Sequence, residues 1–277
     1  NLQKNYAQPA NLGRAMRIAD ASDRYIKFVK STIPNSQTFS GLRIVLDCAN
    51  GAAYKVAPQI LEELGAEIIP IGISPDGLNI NKEIGSTAPL SMQQSVIHNN
   101  ADVGIALDGD ADRLVMADEN GEIIDGDYLM AVIAESWNKL GRLTGGGVVA
   151  TVMSNLGFEK YLQSIGLSIF RTQVGDRFVV EHMRKNGFNV GGEQSGHIVL
   201  SDYSSTGDAL IAALQVLGVF TQTEKPISKI ARSFRRYPQI LKNIPYKEGS
   251  PLDSVIVKQA IQEASNQLEN TGRVLVR

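Results

Sequence analysis

One short stretch constrains this 277-residue chain more than any other, the run Ile-Ala-Leu-Asp-Gly-Asp-Ala-Asp-Arg at residues 105–113. The apolar residues 103–107 are typical of a buried strand, which ends in three alternating aspartates, Asp108, Asp110 and Asp112. Like charges this close repel one another, so a folded loop must protonate some of them or provide a partner. The simplest partner is a hard divalent cation, because such ions take carboxylate oxygens as ligands.

Arg113, directly behind the aspartates, cannot bind a metal but offers a planar set of donors that suits a phosphate or a carboxylate. A metal site beside an obligate anion binder indicates phosphate chemistry. Two other interpretations stay open: a solvated acidic turn, and a calcium loop of the EF-hand type in which Glu119 takes the twelfth position. Against the calcium loop, Arg113 occupies the sixth position, where that loop needs glycine, and a strand rather than a helix precedes it.

The composition fits about two ordinary globular domains, with 43% hydrophobic and 20% charged residues. The net charge of −2 gives no basic surface for nucleic acid, and no apolar run reaches the roughly 18 residues of a membrane span. No charged-then-apolar leader is present, and the single cysteine, Cys48, is predicted to be buried and forms no internal disulfide. We therefore expect a cytoplasmic protein. The start at Asn1 and the stop at Arg277 within an apolar run predict that both ends are cuts in a longer protein.

A weak internal repeat predicts the fold class. Residues 42–71 and 148–171 share one order of strand, asparagine-containing loop, helix, glycine and strand. This pattern predicts an α/β fold with two similar βαβ-type domains, whose parallel or mixed sheets carry helices on both faces. The second unit begins near Asp125, and Asp127 is predicted to cap its first helix. Ligands of such sheets bind at the carboxyl ends of strands, which is where the acidic loop lies.

A second polar site has the sequence Gly-Gly-Glu-Gln-Ser-Gly-His at residues 191–197. In a strand–turn–strand, the alternating Glu193, Ser195 and His197 can project to one side. A carboxylate, a hydroxyl and an imidazole at that spacing suit the hydroxyls of a sugar. The alternative is a tight polar hairpin in which the histidine makes its hydrogen bonds within the protein and binds no ligand.

Three motifs in one order resemble those of a known family, the α-D-phosphohexomutases. They are Asp-Gly-Asp-Ala-Asp-Arg at 108–113, Val-Gly-Asp-Arg at 174–177 and Gly-Glu-Gln-Ser-Gly-His at 192–197. The similarity runs through nearly the whole chain and includes residues 47–51 and 205–208. The resemblance implies four domains around one cleft, with a catalytic phosphoserine in the first and a phosphate-binding loop in the fourth. Neither motif occurs in this sequence, so the chain is expected to hold the two middle domains.

Domain limits and residue roles follow from the same resemblance. The implied limits are a tail of the preceding domain at 1–18, domain 2 with the metal loop at 19–123, domain 3 with the sugar loop at 124–236, and the incomplete start of a further α+β domain 4 at 237–277. The implied roles are Mg²⁺ ligation by Asp108, Asp110 and Asp112, catalysis by Arg113 at the phosphoryl group, and substrate binding by Glu193, Ser195, His197, Asp176 and Arg177. Asp176 and Arg177 keep an alternative, a helix cap with a surface ion pair. No general acid or base can be assigned.

The resemblance also implies a reaction. The full protein would interconvert glucosamine 6-phosphate and glucosamine 1-phosphate through a 1,6-bisphosphate, while Mg²⁺ neutralises charge as the phosphoryl group moves. The product would feed peptidoglycan precursor synthesis, and the chain alone would be inactive because it lacks the phosphoserine. The expected partners are the sugar phosphate, the missing domains of the same protein and, for the full-length protein, a second copy in a homodimer. Neither nucleic acid nor a membrane is expected.

Three alternatives for the function remain open. A phosphoglucomutase or phosphomannomutase more often carries Met where Gln194 stands. A Mg²⁺-dependent phosphohydrolase with an aspartate nucleophile would release free phosphate from a sugar phosphate. A calcium-stabilised binding module would prefer calcium and bind no sugar phosphate.

Overall fold

Two separate β-sheets organise the part of the chain that the computed structural model describes, residues 7–8, 11–223, 225–246, 249–268 and 271–276. The strands of the first sheet are β1 (Arg43–Asp47), β2 (Glu67–Ile71), β3 (Val103–Leu107), β4 (Leu114–Ala117) and β5 (Ile123–Ile124). Their spatial order is β2-β1-β3-β4-β5, in which β2, β1 and β3 are parallel and β4 and β5 follow as antiparallel neighbours. Every residue of β3 is buried, as its unbroken apolar run requires.

The helices α1 (Ala21–Ser31), α2 (Val56–Glu63) and α3 (Leu90–His98) cover the first sheet on both faces. Successive residues of β1 point to opposite faces, as strand geometry dictates. Val45 packs with Met92 and Val96 of α3, whereas Ile44 and Leu46 belong to the larger core on the other face, together with residues of α1 and α2.

The second sheet repeats this arrangement. Its strands are β6 (Gly147–Thr151), β7 (Ser168–Thr172), β8 (Val190–Gly192) and β9 (Ile198–Leu200), and its spatial order is β7-β6-β8-β9. Strands β7, β6 and β8 are parallel, and β9 returns antiparallel to β8. The helices α5 (Leu156–Ser164) and α6 (Asp176–Asn186) pack against this sheet.

Two apolar helices join the units into one core. The helices α4 (Gly126–Lys139) and α7 (Ala209–Phe220) pack against each other, and nearly every residue of α7 is buried. A helix that is apolar all round has no solvent face to offer and therefore belongs in the interior. The largest core cluster accordingly contains residues of both sheets and of both helices.

The predicted α/β class with two similar domains and mixed sheets is confirmed. In each sheet the first strand in sequence is central, two parallel strands flank it, and an antiparallel strand follows the third. The acidic loop joins β3 to β4, and the Glu-Gln-Ser turn joins β8 to β9. The two polar segments that the sequence singled out therefore occupy the same hairpin corner in two equivalent sheets.

The predicted cap of α4 is wrong by two residues. Asp125 is the N-cap, and its Oδ1 accepts a hydrogen bond from the N–H of Tyr128 at 3.4 Å. Asp127 lies in the first turn of the helix and is almost wholly buried. Both residues are aspartates after an apolar run, so local sequence could not distinguish the capping residue from the buried one.

Beyond α8 (Ile227–Ala231), the described residues form a 3₁₀ turn at Pro251–Asp253 and the helix α9 (Val255–Leu268). The sequence predicted a strand at the end of the chain, as the start of an α+β domain. This prediction is wrong for the described residues, because 271–276 form no strand. A strand needs a partner to take its backbone hydrogen bonds, and the described part of the chain places none beside this segment. The predicted tail at 1–18 and the chain end lie partly outside the described residues.

Two predictions drawn from composition can be compared with the fold. Within the described residues, no helix is long and apolar enough to cross a membrane. Cys48 is buried, as predicted, and burial, with the nearby Asp47 carboxylate, raises the pKa of its thiol to about 12.

Candidate functional site

The three aspartates of the acidic loop converge. Asp108 follows β3 directly and is buried, Asp112 is half-buried, and Asp110 is exposed. One carboxylate oxygen from each of them lies within 4.8 Å of the others. Such a set of three oxygen donors can hold a hard divalent cation, which is what the spacing predicted.

The loop builds this arrangement from its own backbone. The Oδ1 atom of Asp108 accepts hydrogen bonds from the N–H groups of Asp112 and Arg113, both at 3.1 Å. Ala111 adopts a φ of 61°, in the left-handed region, so the chain reverses within the loop. The first aspartate therefore folds the loop around itself and brings the other two carboxylates back toward it.

The electrostatics of the loop favour a cation. Burial raises the pKa of the Asp108 carboxyl, and the negative charges of Asp112 and Asp110 raise it further, against the lowering effect of the Arg113 N–H. The Arg113 Nε atom is 3.7 Å from Asp108 Oδ2 and 3.9 Å from Asp112 Oδ1, and its side chain is 46% exposed. One half-exposed guanidinium offsets three carboxylates only in part, so a cation has charge left to neutralise.

The EF-hand alternative does not fit this geometry. Strands β3 and β4 flank the loop where that motif has helices. Glu119, which would be the twelfth-position ligand, instead accepts a hydrogen bond from the N–H of Ser228 at 3.0 Å. A calcium loop of that type needs this carboxylate on the ion.

The second polar site is a tight hairpin turn between β8 and β9. The Glu193 N–H donates to the carbonyl of His197 at 2.9 Å, and the Gly196 N–H donates to the carbonyl of Glu193 at 3.0 Å. The three predicted sugar-binding residues are in different environments: Glu193 is half-buried, Ser195 exposed and His197 buried. Glu193 Oε1 accepts the N–H of Gly175, at the start of α6, at 3.0 Å.

The acidic loop and the Glu-Gln-Ser turn contact each other directly. Arg113 and His197 form an antiparallel β-bridge, and the Leu114 N–H donates to the Gly196 carbonyl at 3.0 Å. The His197 imidazole, only 4% exposed as a residue, places Nδ1 3.1 Å from Asp112 Oδ2. Its Nε2 accepts the N–H of Gly207 at 3.2 Å, so the ring proton sits on Nδ1 and points at Asp112. A single side chain thus links the two polar sites.

The two charged residues of the Val-Gly-Asp-Arg motif are both exposed but have different neighbours. Asp176 begins α6, and its Oδ2 lies 3.9 Å from His197 Nε2. The neighbouring Arg177 pairs instead with Glu181 at 2.9 Å, on an exposed face of the same helix. The N-cap of α6 is Gly175, so neither residue caps it, but the surface ion pair of the alternative interpretation is present.

Sequence reasoning missed a buried polar cluster behind the Glu-Gln-Ser turn. The Gly126 N–H, at the start of α4, donates to the Gln194 carbonyl at 3.1 Å, and the Gln194 side chain donates to Asp127 at 3.3 Å. The spacing Asp-Gly-Asp at 125–127 repeats that of the acidic loop and was the available signal. It predicted only a helix cap, because nothing local shows that one of the two carboxylates is buried.

Family models match both units. The model described as phosphoglucomutase/phosphomannomutase, alpha/beta/alpha domain II, matches residues 23–121, and the one described as domain III of the same family matches residues 125–237. The two matches are consecutive and together span about three quarters of the chain.

Curated relatives match over the whole chain. A phosphoglucosamine mutase of Parvibaculum lavamentivorans is 58% identical over 276 residues, and one of Azorhizobium caulinodans is 56% identical over 277 residues. Each match covers 100% of this chain and 62% of the relative, so the chain spans less than two thirds of the length of these proteins.

Solved structures share the fold at low sequence identity. A phosphoglucomutase/phosphomannomutase family protein of Burkholderia thailandensis has a TM-score of 0.65 and 22% identity, covering 76% of this chain and 45% of that one. The N-acetylphosphoglucosamine mutase of Aspergillus fumigatus, in complex with GlcNAc-6P and magnesium, has a TM-score of 0.61 and 20% identity, covering 78% and 53%. Two consecutive family domains, relatives more than half identical, and the same fold lead to one conclusion: the chain belongs to the phosphoglucomutase/phosphomannomutase family, the α-D-phosphohexomutases, and its curated relatives are phosphoglucosamine mutases.

Proposed function

We propose that this chain is the central part of a phosphoglucosamine mutase, which interconverts glucosamine 6-phosphate and glucosamine 1-phosphate through a 1,6-bisphosphate. The observation that carries the proposal is the contact between the two polar sites. His197 of the Glu-Gln-Ser turn lies 3.1 Å from Asp112 of the aspartate trio. A phosphoryl group held at the aspartates would therefore be beside a sugar held at the turn.

The aspartate trio fits Mg²⁺ by its chemistry. Asp108, Asp110 and Asp112 present only carboxylate oxygens, the ligands that a hard cation prefers, and these oxygens converge. When bound there, Mg²⁺ would neutralise negative charge on a phosphoryl group. The buried Asp108 fixes the position of the other two by accepting two N–H groups of its own loop.

Arg113 is proposed to contact the phosphoryl group. Its Nε stays more than 3.5 Å from both nearby carboxylates, so neither ion pair is a close hydrogen bond. Its half-exposed guanidinium can therefore turn to a phosphate, which it can bind through two N–H donors at once. Glu193 and Ser195 are proposed to bind sugar hydroxyls. Hydrogen bonds to the ring hydroxyls can form in either of the two orientations that a 1,6-bisphosphate must adopt.

The rest of the reaction is proposed to depend on parts of a longer protein. The relatives extend beyond this chain, and we propose that a phosphoserine and a second phosphate-binding loop come from those parts. The chain alone should then have no mutase activity. We place the full protein in the cytoplasm, as a homodimer, where its product would supply peptidoglycan precursor synthesis.

Kinetics of the full-length protein on three sugar phosphates test the proposal. We expect kcat/KM for glucosamine 6-phosphate to exceed that for the glucose and mannose phosphates by at least about tenfold. The substitution Asp108→Asn should reduce kcat by on the order of 10²-fold or more and weaken magnesium uptake in calorimetry. Asp20→Asn, at an exposed ion pair with Arg24, is the matched control and should change neither.

Three results would contradict the proposal in different ways. A higher kcat/KM on glucose or mannose phosphate would assign the protein to a sister activity of the family. Release of free phosphate from the sugar phosphate, without isomer formation, would indicate a phosphohydrolase. Turnover by the 277-residue chain, free of contaminating enzyme, would show that no phosphoserine from elsewhere is needed.

A further inference from the structure

Asp127 is the meeting point of two sets of contacts that the mutase chemistry does not use. Its residue surface is only 1% exposed, and its Oδ2 atom accepts two hydrogen bonds. One comes from the N–H of Asn155 at 2.7 Å and the other from the side-chain amide of Gln194 at 3.3 Å. Its Oδ1 atom is buried and makes no close hydrogen bond in the described part of the chain, although the buried Ser154 hydroxyl is near enough to lower the pKa of the carboxyl.

The first set of contacts holds the Glu-Gln-Ser turn. The middle of the turn rests on the N-terminus of α4, where Gly126 donates to the Gln194 carbonyl at 3.1 Å. The approach is so close that a Cβ atom on Gly126 would overlap the carbonyl oxygen of Glu193. The Gln194 side chain donates to Asp127 and so holds the middle of the turn, while Glu193 and Ser195 take no part in this contact.

The second set holds the segment that leaves the second unit. Both atoms of the Asn155 amide bond to the main chain of Tyr237: Oδ1 accepts its N–H and Nδ2 donates to its carbonyl, both at 2.9 Å. Arg236 pairs with Asp125, the cap of α4, at 3.0 Å. Arg236 is therefore held at the N-terminus of α4 and Tyr237 at the N-terminus of α5. The Glu-Gln-Ser turn also contacts the N-terminus of α4.

The contacts of Asp127 indicate a positioning role. Only an acceptor oxygen is needed for them, so an asparagine could accept the same two N–H groups with no buried charge. The two bonds to Oδ2 join segments far apart in sequence, since Asn155 is 28 residues and Gln194 67 residues from Asp127. A shift of either donor therefore changes the hydrogen bonding of the other.

We propose that Asp127 is a positioning residue that couples the exit segment, residues 236–237, to the Glu-Gln-Ser turn. The position of whatever part of the protein follows residue 237 would then set the position of Glu193 and Ser195 against the sugar. The kinetic consequence rests on the proposed function, whereas the coupling itself does not.

Hydrogen exchange measures the coupling without reference to activity. In the full-length protein, Asp127→Ala is expected to speed amide exchange by at least about tenfold both in residues 193–197 and at Tyr237. Asp127→Asn keeps an acceptor and should stay within about threefold of the parent protein at both places. The matched control is Asn189→Ala, which removes another buried side chain that ties backbone segments of the second unit, just before β8. It should not change exchange in either segment.

Kinetics then connect the coupling to the sugar. We expect Asp127→Ala to reduce kcat/KM by on the order of 10- to 100-fold, with Asp127→Asn restoring it and Asn189→Ala leaving it within about threefold. Gln194→Met removes the amide donor at similar length. In that background, Asp127→Ala should cost markedly less than in the parent protein, because the two changes break the same link.

Distinct outcomes overturn the inference. Faster exchange in only one of the two segments would show that Asp127 does not couple them. Equal losses of kcat/KM in Asp127→Ala and Asn189→Ala would reduce its role to general stability, and so would additive effects with Gln194→Met. If the parent protein has no mutase activity, the proposed function fails, but the exchange experiment still decides the coupling.

Discussion

The acidic loop and the Glu-Gln-Ser turn occupy the same corner of two equivalent sheets, yet their side chains are used differently. In the acidic loop, the Asp108 carboxylate accepts the N–H groups of Asp112 and Arg113 of the same loop. In the Glu-Gln-Ser turn, the Glu193 carboxylate and the Gln194 amide instead bond outside the turn, to Gly175 and Asp127. Both hairpins have backbone contacts with neighbouring segments, but only the acidic loop is also held by a carboxylate of its own.

This difference follows the chemistry that each segment is proposed to perform. A metal site needs ligands at fixed mutual distances, which a loop can secure by bonding to itself. A sugar-binding turn must be placed correctly relative to a phosphoryl group elsewhere, which only contacts between units can secure. The repeated βαβ unit thus provides two equivalent hairpins, and the hydrogen bonds made by their side chains differ with the function proposed for each.

The largest expected effect comes from a substitution at Gly196 in the Glu-Gln-Ser turn. This glycine has a φ of 95°, and a Cβ atom there would overlap the Leu114 carbonyl. Gly196→Ala should lower the free energy of unfolding by roughly 3 kcal/mol or more, because backbone rather than a flexible side chain must move. Denaturant unfolding measures it.

The matched substitution in the acidic loop is Gly109→Ala. Its Cβ would meet side-chain atoms, the nearest being Ile80 Cδ1 at 2.6 Å, and its φ is not in the left-handed region. We expect a loss of only about 1 kcal/mol. Equal losses for the two glycine substitutions would contradict the distinction between a rigid backbone neighbour at Gly196 and movable side-chain neighbours at Gly109.

A pH titration of stability tests the buried carboxyl behind the turn. Burial, with the Asp125 charge, raises the pKa of Asp127 from 3.8 to about 6. The folded state then holds a proton that the unfolded state has lost, so stability falls as the pH rises from about 4 to about 6 and is level above. This rise in pKa corresponds to about 3 kcal/mol.

The control for this titration is Asp127→Asn, which should lack that fall while retaining every other titrating group. The difference between the two unfolding curves isolates Asp127 from the other carboxyls whose pKa values burial raises, Asp47, Asp108, Asp125 and Asp208. If the free energy of unfolding of the two proteins changes in parallel between pH 4 and 6, the pKa of Asp127 is not raised by burial.

A smaller effect is expected at the contact between α1 and α7. The Tyr25 hydroxyl lies 3.1 and 3.0 Å from the two carboxylate oxygens of Asp208, the cap of α7. Tyr25→Phe should cost about 1–2 kcal/mol, because it removes a partly buried hydrogen bond to a charged group and leaves the ring in place. Tyr246→Phe, at an exposed tyrosine, should cost nothing measurable. A neutral Tyr25→Phe would mean that this contact does not join the units.

The smallest expected effect is at Arg177. Its pair with Glu181 is exposed on one helix, so Arg177→Ala should change the free energy of unfolding by less than about 0.5 kcal/mol. Because the guanidinium is turned toward Glu181, we also expect kcat/KM of the full-length protein to change less than about threefold. A tenfold rise in KM would instead support the substrate-binding role that the motif predicted.

The sequence by itself determined the features that depend on neighbouring residues. The apolar run of β3 predicted a buried strand, the three alternating aspartates predicted convergent carboxylates, and the repeat of strand, loop and helix predicted two similar sheets. Strand periodicity, charge repulsion and loop geometry act over a few residues, so the pattern alone was sufficient.

Only the tertiary structure decided which distant groups meet. The contact of His197 with Asp112, and the two hydrogen bonds that meet on Asp127, join residues far apart in the chain. The sequence predicted Asp127 as the helix cap and both Asp176 and Arg177 as substrate-binding residues, whereas in the structure Asp125 is the cap and it is Asp176 that lies near His197. Burial and access to a partner depend on how whole elements lie against each other, so neighbouring residues alone could not decide these points.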